Sequence, residues 1–184
     1  MKKQKGFSLI ELLIVVAIIL IIAAIAVPNL LRSRMAANES SAAGSERTIA
    51  TSNVTYSTTY GIGFASVFSY LGPPTGGGTA AVSDGADLID STLASGSKSG
   101  YAFGNTAPAV YAATLGTDGV TYVTYTSFAG PLQEDVSGKS VFCVDQTNVV
   151  YKDPAGPGVT NDADASGANC NTDTPAAGLV PIGN

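Results

Sequence analysis

The pattern of apolar and polar positions divides this chain sharply. From Leu12 to Val27 sixteen consecutive residues are apolar, and Phe7, Leu9 and Ile10 extend the run towards the amino terminus past a single carboxylate, Glu11. About twenty apolar residues suffice to cross a bilayer as a helix, so the pattern predicts a membrane span. Lys2, Lys3 and Lys5 lie on one side of it, which marks that side as cytoplasmic. Glu11 is out of place in such a run. An ionised carboxylate in hydrocarbon costs about 3 kcal/mol even on the gentler insertion scales, and such residues are usually kept for a partner or a function.

The helix is predicted to continue beyond the span. Pro28 lacks an amide hydrogen and crowds the carbonyl of Ala24, so a kink is expected there rather than a stop, because helical spacing resumes at once. Leu31, Met35, Asn38, Ala42, Ser45, Ile49, Ser52 and Tyr56 recur at intervals of three and four, with Arg32, Arg34, Glu39, Glu46 and Arg47 mostly flanking that row. This face is expected to pack on the rest of the chain. Helix propensity falls over Thr55 to Tyr60, and Gly61-Ile62-Gly63 supplies a terminator. A helix over 7–60 would be roughly 80 Å long at 1.5 Å per residue. The 124 residues that follow cannot bury it, so its first half must find lipid or copies of itself.

Beyond Gly61 the periodicity changes. Gly72 to Thr79 is a loop, and Ser83 is expected to cap a short helix over Asp84–Ala94, whose acids at 84, 87 and 90 would share a face. Such a cluster reads either as a cation site or as a solvated helix face. Tyr101–Phe103, Val110–Ala113, Gly119–Phe128, Val141–Val144 and Val149–Tyr151 have strand composition, and Asp145 to Asn148 makes a hairpin of the last two. The fold class is therefore α+β: a long amino-terminal helix packed on a small antiparallel sheet.

Charge separates along the same boundary. From Gly61 onward there are eleven acids and three bases, and this acidic balance argues against nucleic acid as a partner. The chain contains no histidine, and no phosphate-binding glycine loop, nucleophile elbow or paired-cysteine zinc pattern is present, so the sequence offers no catalytic constellation and calls for no cofactor. One segment has metal-ligand spacing. Asp162, Asp164, Ser166 and Asp173, with Gly167 at the sixth position, follow the oxygen spacing of a calcium loop, but the last ligand is Asp instead of Glu and no helices flank it. A calcium loop and a plain surface loop both stay open. Asn38-Glu39-Ser40 and Asn53-Val54-Thr55 have the form of glycosylation acceptors but fall in the helix, and are read as coincidence.

The string Gly6-Phe7-Ser8-Leu9-Ile10-Glu11-Leu12-Leu13 resembles the class III signal of type IV pilins and the related pseudopilins. Close resemblance covers about the first sixty residues and becomes a likeness of layout beyond them. It implies cleavage between Gly6 and Phe7 by a prepilin peptidase, methylation of the new amino-terminal Phe7, and Glu11 as the assembly residue. The organisation that follows is a leader over 1–6, a helix over 7–60 with its membrane or fibre-core part at 7–31 and its packed part at 32–60, and an exported head over 61–184. An ordinary secretory signal cut near Ala24-Ile25-Ala26 and a simple one-span anchor are the competing readings, and neither accounts for glycine, phenylalanine and glutamate at this spacing.

Export also bears on the cysteines. From Pro154 onward the tail has scarcely an aliphatic residue before Leu179, too few to order it alone. An exported chain with an even cysteine count is expected to join Cys143 to Cys170, at roughly 3 to 4 kcal/mol in the chain-entropy model. Type IV pilins commonly close their carboxy-terminal region in this way, whereas many type II secretion pseudopilins do not. The resemblance thus implies a pilus subunit without a reaction of its own. It is held in the inner membrane with its amino terminus cytoplasmic, then polymerised with itself by an inner-membrane platform and an assembly ATPase into an extracellular fibre. A type II secretion pseudopilin and a membrane-anchored calcium-dependent binding domain are the alternatives.

Overall fold

A computed structural model describes residues 8–74, 80–104, 106, 109–153, 170 and 180–182. The chain falls into two compact units, Met1–Arg34 and Met35–Asn184. One helix, α1 (Leu9–Tyr60), has residues in both. Its helical conformation runs unbroken past Pro28, near which Asn29 Nδ2 donates to the Ile25 carbonyl at 3.0 Å and Ser33 Oγ to the Asn29 carbonyl at 3.0 Å. It stops at Gly61, whose φ of 67° suits a residue without Cβ and whose N–H closes on the Ser57 carbonyl.

In the second unit the sheet contains β1 (Ser97–Lys98), β2 (Tyr101–Ala102), β3 (Val110–Leu115), β4 (Tyr122–Pro131), β5 (Val141–Asp145), β6 (Val150–Asp153) and β7 (Val180–Pro181). All named pairs are antiparallel, in the order β1-β2-β4-β5-β6-β7, with β3 paired to the first part of β4. β4 is long enough to serve as the common spine: Ser127 pairs with Tyr111 on one edge and with Val144 on the other. The tight β1–β2 turn places Ser99 at φ 51° and Gly100 at 76°, and a Cβ on Gly100 would meet the Ser137 side chain.

The core lies between the sheet and the part of α1 from Ala42 to Tyr56. Ile49, Ala50 and Tyr56 on the helix meet Tyr111, Tyr125, Ala129, Phe142, Val144 and Val150 from the strands. Phe64 packs against Tyr125 with ring centroids 4.9 Å apart. The row read from the sequence is the buried one from Ala42 through Ser45, Ile49 and Ser52 to Tyr56, but Glu46 departs from the expectation. Its charge predicts a flanking position, yet it is fully buried. The backbone turns that residue towards the sheet whatever its polarity, since Glu46 sits one turn from Ala42, Ala43, Ile49 and Ala50.

The expected helix over Asp84–Ala94 is shorter than its composition suggested. Only Ser91–Ala94 (α2) is helical, and its N-cap is Asp90, whose side chain accepts from Leu93 N–H at 3.0 Å. Ahead of it Val82 and Gly85 close a turn and Asp87 takes a φ of 52°, which a right-handed helix cannot accommodate. The acids at 84, 87 and 90 therefore share no helical face. The strands keep their expected positions with shifted limits, as β4 starts at Tyr122 and runs to Pro131.

Candidate functional site

At the start of α1, Ser8 precedes the first helical residue and its N–H donates to Glu11 Oε2 at 3.0 Å. Four N–H groups at any helix start lack partners within the helix, and a glutamate at the third helical position can reach back to one of them. The Ser8-Leu9-Ile10-Glu11 spacing is the sequence form of that capping box. The carboxylate is thus held at the helix start by its own chain.

From Leu9 to Leu31 all the large apolar side chains are exposed, from 45% at Leu31 to 79% at Leu9. If covering what is left uncovered yields about 1 kcal/mol for each such side chain, the stretch offers on the order of 15 kcal/mol. That rivals the whole stability of a typical domain, so the surface demands an apolar neighbour. Because apolar residues ring the helix on all sides, a soluble one-sided partner would not suffice. The helix is long and apolar enough to cross a membrane.

Within the second unit, three polar residues spaced by seven, Glu39, Glu46 and Asn53, tie its part of α1 to the sheet and loops. Glu39 Oε1 accepts from the N–H groups of Lys139 and Ser140, both at 3.1 Å, and its Oε2 from Lys152 Nζ at 2.9 Å. Burial alone would raise this carboxyl, but the Lys152 ammonium and the two amides together hold it below its ordinary value. Asn53 Oδ1 accepts from Tyr111 Oη at 3.0 Å and from Ala65 N–H at 3.2 Å, which pins the strand β3 and the connector to the helix. Among the described residues Glu46 makes one hydrogen bond, accepting from Ser127 Oγ at 3.3 Å. Of the two glycosylation-like patterns, Asn53 is buried and Asn38 donates its Nδ2 to the Ser137 carbonyl at 2.7 Å.

On the far side of β5, Cys143 is bonded to Cys170 with a Cα–Cα distance of 5.8 Å. Asp145 reinforces the junction: its Oδ2 accepts from Cys170 N–H at 2.9 Å, and its Oδ1 from Thr147 N–H at 2.9 Å and Thr147 Oγ1 at 2.6 Å. Further along, β7 pairs with β6 and Ile182 N–H donates to the Val150 carbonyl.

Gly6 and Phe7 lie outside the described residues, as do Asp162, Asp164, Ser166 and Asp173. Glu11 and Pro28 are in α1, and Cys143 is brought to Cys170. The sequence reading missed the cap made by Glu11, although serine three residues ahead of it is a signal for one. It also missed Glu39 and Asp145 as organising carboxylates, which no local pattern distinguishes from surface acids.

Residues 1–27 match the family model of the prokaryotic N-terminal methylation motif. Over 39 residues the chain is 62% identical to the type IV wide pilus major component PilA4 of Thermus thermophilus, a match that takes in 21% of this chain and 30% of that protein. No solved structure matches the chain.

Proposed function

We propose, from the premise that the chain belongs to the class III-signal prepilins of the type IV pilin superfamily, that it is a structural subunit of a type IV pilus, of the major-pilin kind and without a reaction of its own. The observation that carries the proposal is the exposed apolar first half of α1, opened by a methylation motif with Glu11 at its head. Cleavage after Gly6 makes Phe7 the mature amino terminus, and a prepilin peptidase both cuts and methylates it. Lys2, Lys3 and Lys5 keep that end cytoplasmic until then. Lipid covers the apolar half while the subunit waits in the inner membrane. Copies of the same helix cover it in the fibre, with a membrane platform and an ATPase supplying the machinery and the work.

On this reading Glu11 sets register. Apolar side chains slide past one another at little cost, whereas an ion pair in hydrocarbon has few competing partners. The mature Phe7 ammonium lies four residues from Glu11 in its own chain and next to Glu11 of a docking neighbour in the fibre. Filaments sheared from cells and analysed by mass spectrometry test the reading. This polypeptide as the bulk component, beginning at methylated Phe7, is the expected result. A processed polypeptide that stays with the cell envelope and never enters a surface fibre would replace the reading with that of a type II secretion pseudopilin.

A further inference from the structure

We propose that the interface between α1 and β4 is a proton-sensitive latch, closed while the Glu46 carboxyl is neutral and loosened when it ionises. The inference concerns the second unit alone and does not depend on assembly.

Its basis is a contrast between two glutamates seven residues apart on one helix. Glu39 has three donors, one of them an ammonium. Glu46 is 0% exposed, and among the described residues its Oε1 meets only the Ser127 hydroxyl, at 3.3 Å, while its Oε2 has no hydrogen-bond partner. Its helical neighbours one turn away, Ala42, Ala43, Ile49 and Ala50, are all buried, and so are Ser127 of β4, which bonds it, and Val144 of β5, which pairs with Ser127. A carboxylate in such a place has exchanged water for one weak neutral donor, which is the arrangement that disfavours charge most strongly.

The other ionisable groups on the surrounding elements give no relief. On α1, Glu39 is engaged by Lys152, and Arg47 is exposed. β3 and β4 contribute the phenols of Tyr111 and Tyr125, the latter with an unpartnered buried hydroxyl, and β5 contributes Asp145. β6 contributes Asp153 and Lys152, and Lys152 is bound to Glu39. Among the described residues no cation pairs with Glu46.

Burial accordingly pushes the Glu46 carboxyl up from 4.5 to about 8, against a small opposing effect of the Ser127 hydroxyl. Below 4.5 both folded and unfolded chains hold the proton, and the contribution to stability is complete. Between 4.5 and about 8 the unfolded chain has released a proton that the folded chain keeps, so the folding constant falls roughly tenfold per pH unit from this group. Above that range the folded carboxyl is ionised and seeks water. The backbone around Glu46 must then move away from β4, which uncovers the apolar residues on either side.

The full chain in detergent micelles, labelled with carbon-13 at glutamate carboxyls, tests the latch by NMR from pH 4 to 9. With the wild-type Glu46 signal assigned through the backbone, the expected midpoint lies above 7, and amide protection at Ile49 and Ala50 falls through the same midpoint beyond the intrinsic rate change. A Glu46 midpoint below 6 would overturn the proposal. Glu46→Gln, which keeps the shape and cannot ionise, should flatten the fall of the melting temperature between pH 5 and 8. An unchanged slope in that variant would also overturn it. If Glu46→Gln does not fold, the wild-type titration and exchange decide alone.

Discussion

Lys152 and Glu39 meet at 2.9 Å, and through that contact β6 is joined to α1 across 113 residues of sequence. The same carboxylate also receives the amides of Lys139 and Ser140, so one side chain ties the helix to a loop and a strand. Glu39→Ala removes the acceptors of all three hydrogen bonds and is expected to lower stability by about 1 to 3 kcal/mol, towards the lower end because the Lys152 and Glu39 side chains retain 33% and 18% of their exposure. Chemical denaturation of the full chain in micelles measures the loss.

Acidification probes the same group. Glu39 is held below its ordinary value of 4.5, so its contribution is present above 4.5 and disappears as pH falls through the lower folded value. Melting temperature against pH should therefore show an acid limb below 4.5 that Glu39→Gln flattens. An equally steep limb in that variant would assign acid sensitivity to other carboxylates.

The Cys143–Cys170 bridge and Asp145 act on one junction. Replacing both cysteines by serine is expected to cost about 2 to 4 kcal/mol, and Asp145→Ala about 1 to 3 kcal/mol because Cys170 N–H would be left buried without its acceptor. The two changes should not add, since loss of the bridge frees the segment that Asp145 holds. A double-mutant comparison by urea denaturation reads the coupling, and simple additivity would separate the two contacts.

Processing is tested at Gly6. The larger side chain of Gly6→Val should block cleavage, leaving a full-length polypeptide that begins at Met1 or Lys2 in the membrane fraction. Intact mass and amino-terminal peptides report the outcome. A variant still starting at Phe7 would place the determinant of cleavage elsewhere.

How much of this was legible in the sequence depended on whether a feature is local. The helix end at Gly61, the antiparallel strands and the Cys143 to Cys170 pairing were readable because composition, spacing and compartment constrain them. The short helix before Ala94 was overread, since apolar and acidic spacing cannot reveal that Asp87 adopts a positive φ. For Glu46 polarity predicts exposure, while its burial depends on which strand lies against that turn of helix. The cap by Glu11 was available in Ser8-Leu9-Ile10-Glu11 and was hidden by the more conspicuous reading of a charge in an apolar run.

The central claim, that a charge at Glu11 sets the register of an otherwise featureless helix, is tested most directly by Glu11→Gln as the only subunit expressed. Glutamine retains a carbonyl oxygen for the Ser8 N–H, so the helix start keeps its cap while the charge is gone. The measurement is the amount of this polypeptide in the sheared fraction relative to that in membranes, with the amino terminus of each determined. The account predicts a processed subunit at normal membrane level and almost none in the sheared fraction. Normal amounts of sheared fibre from this variant would contradict it and reduce Glu11 to a helix cap.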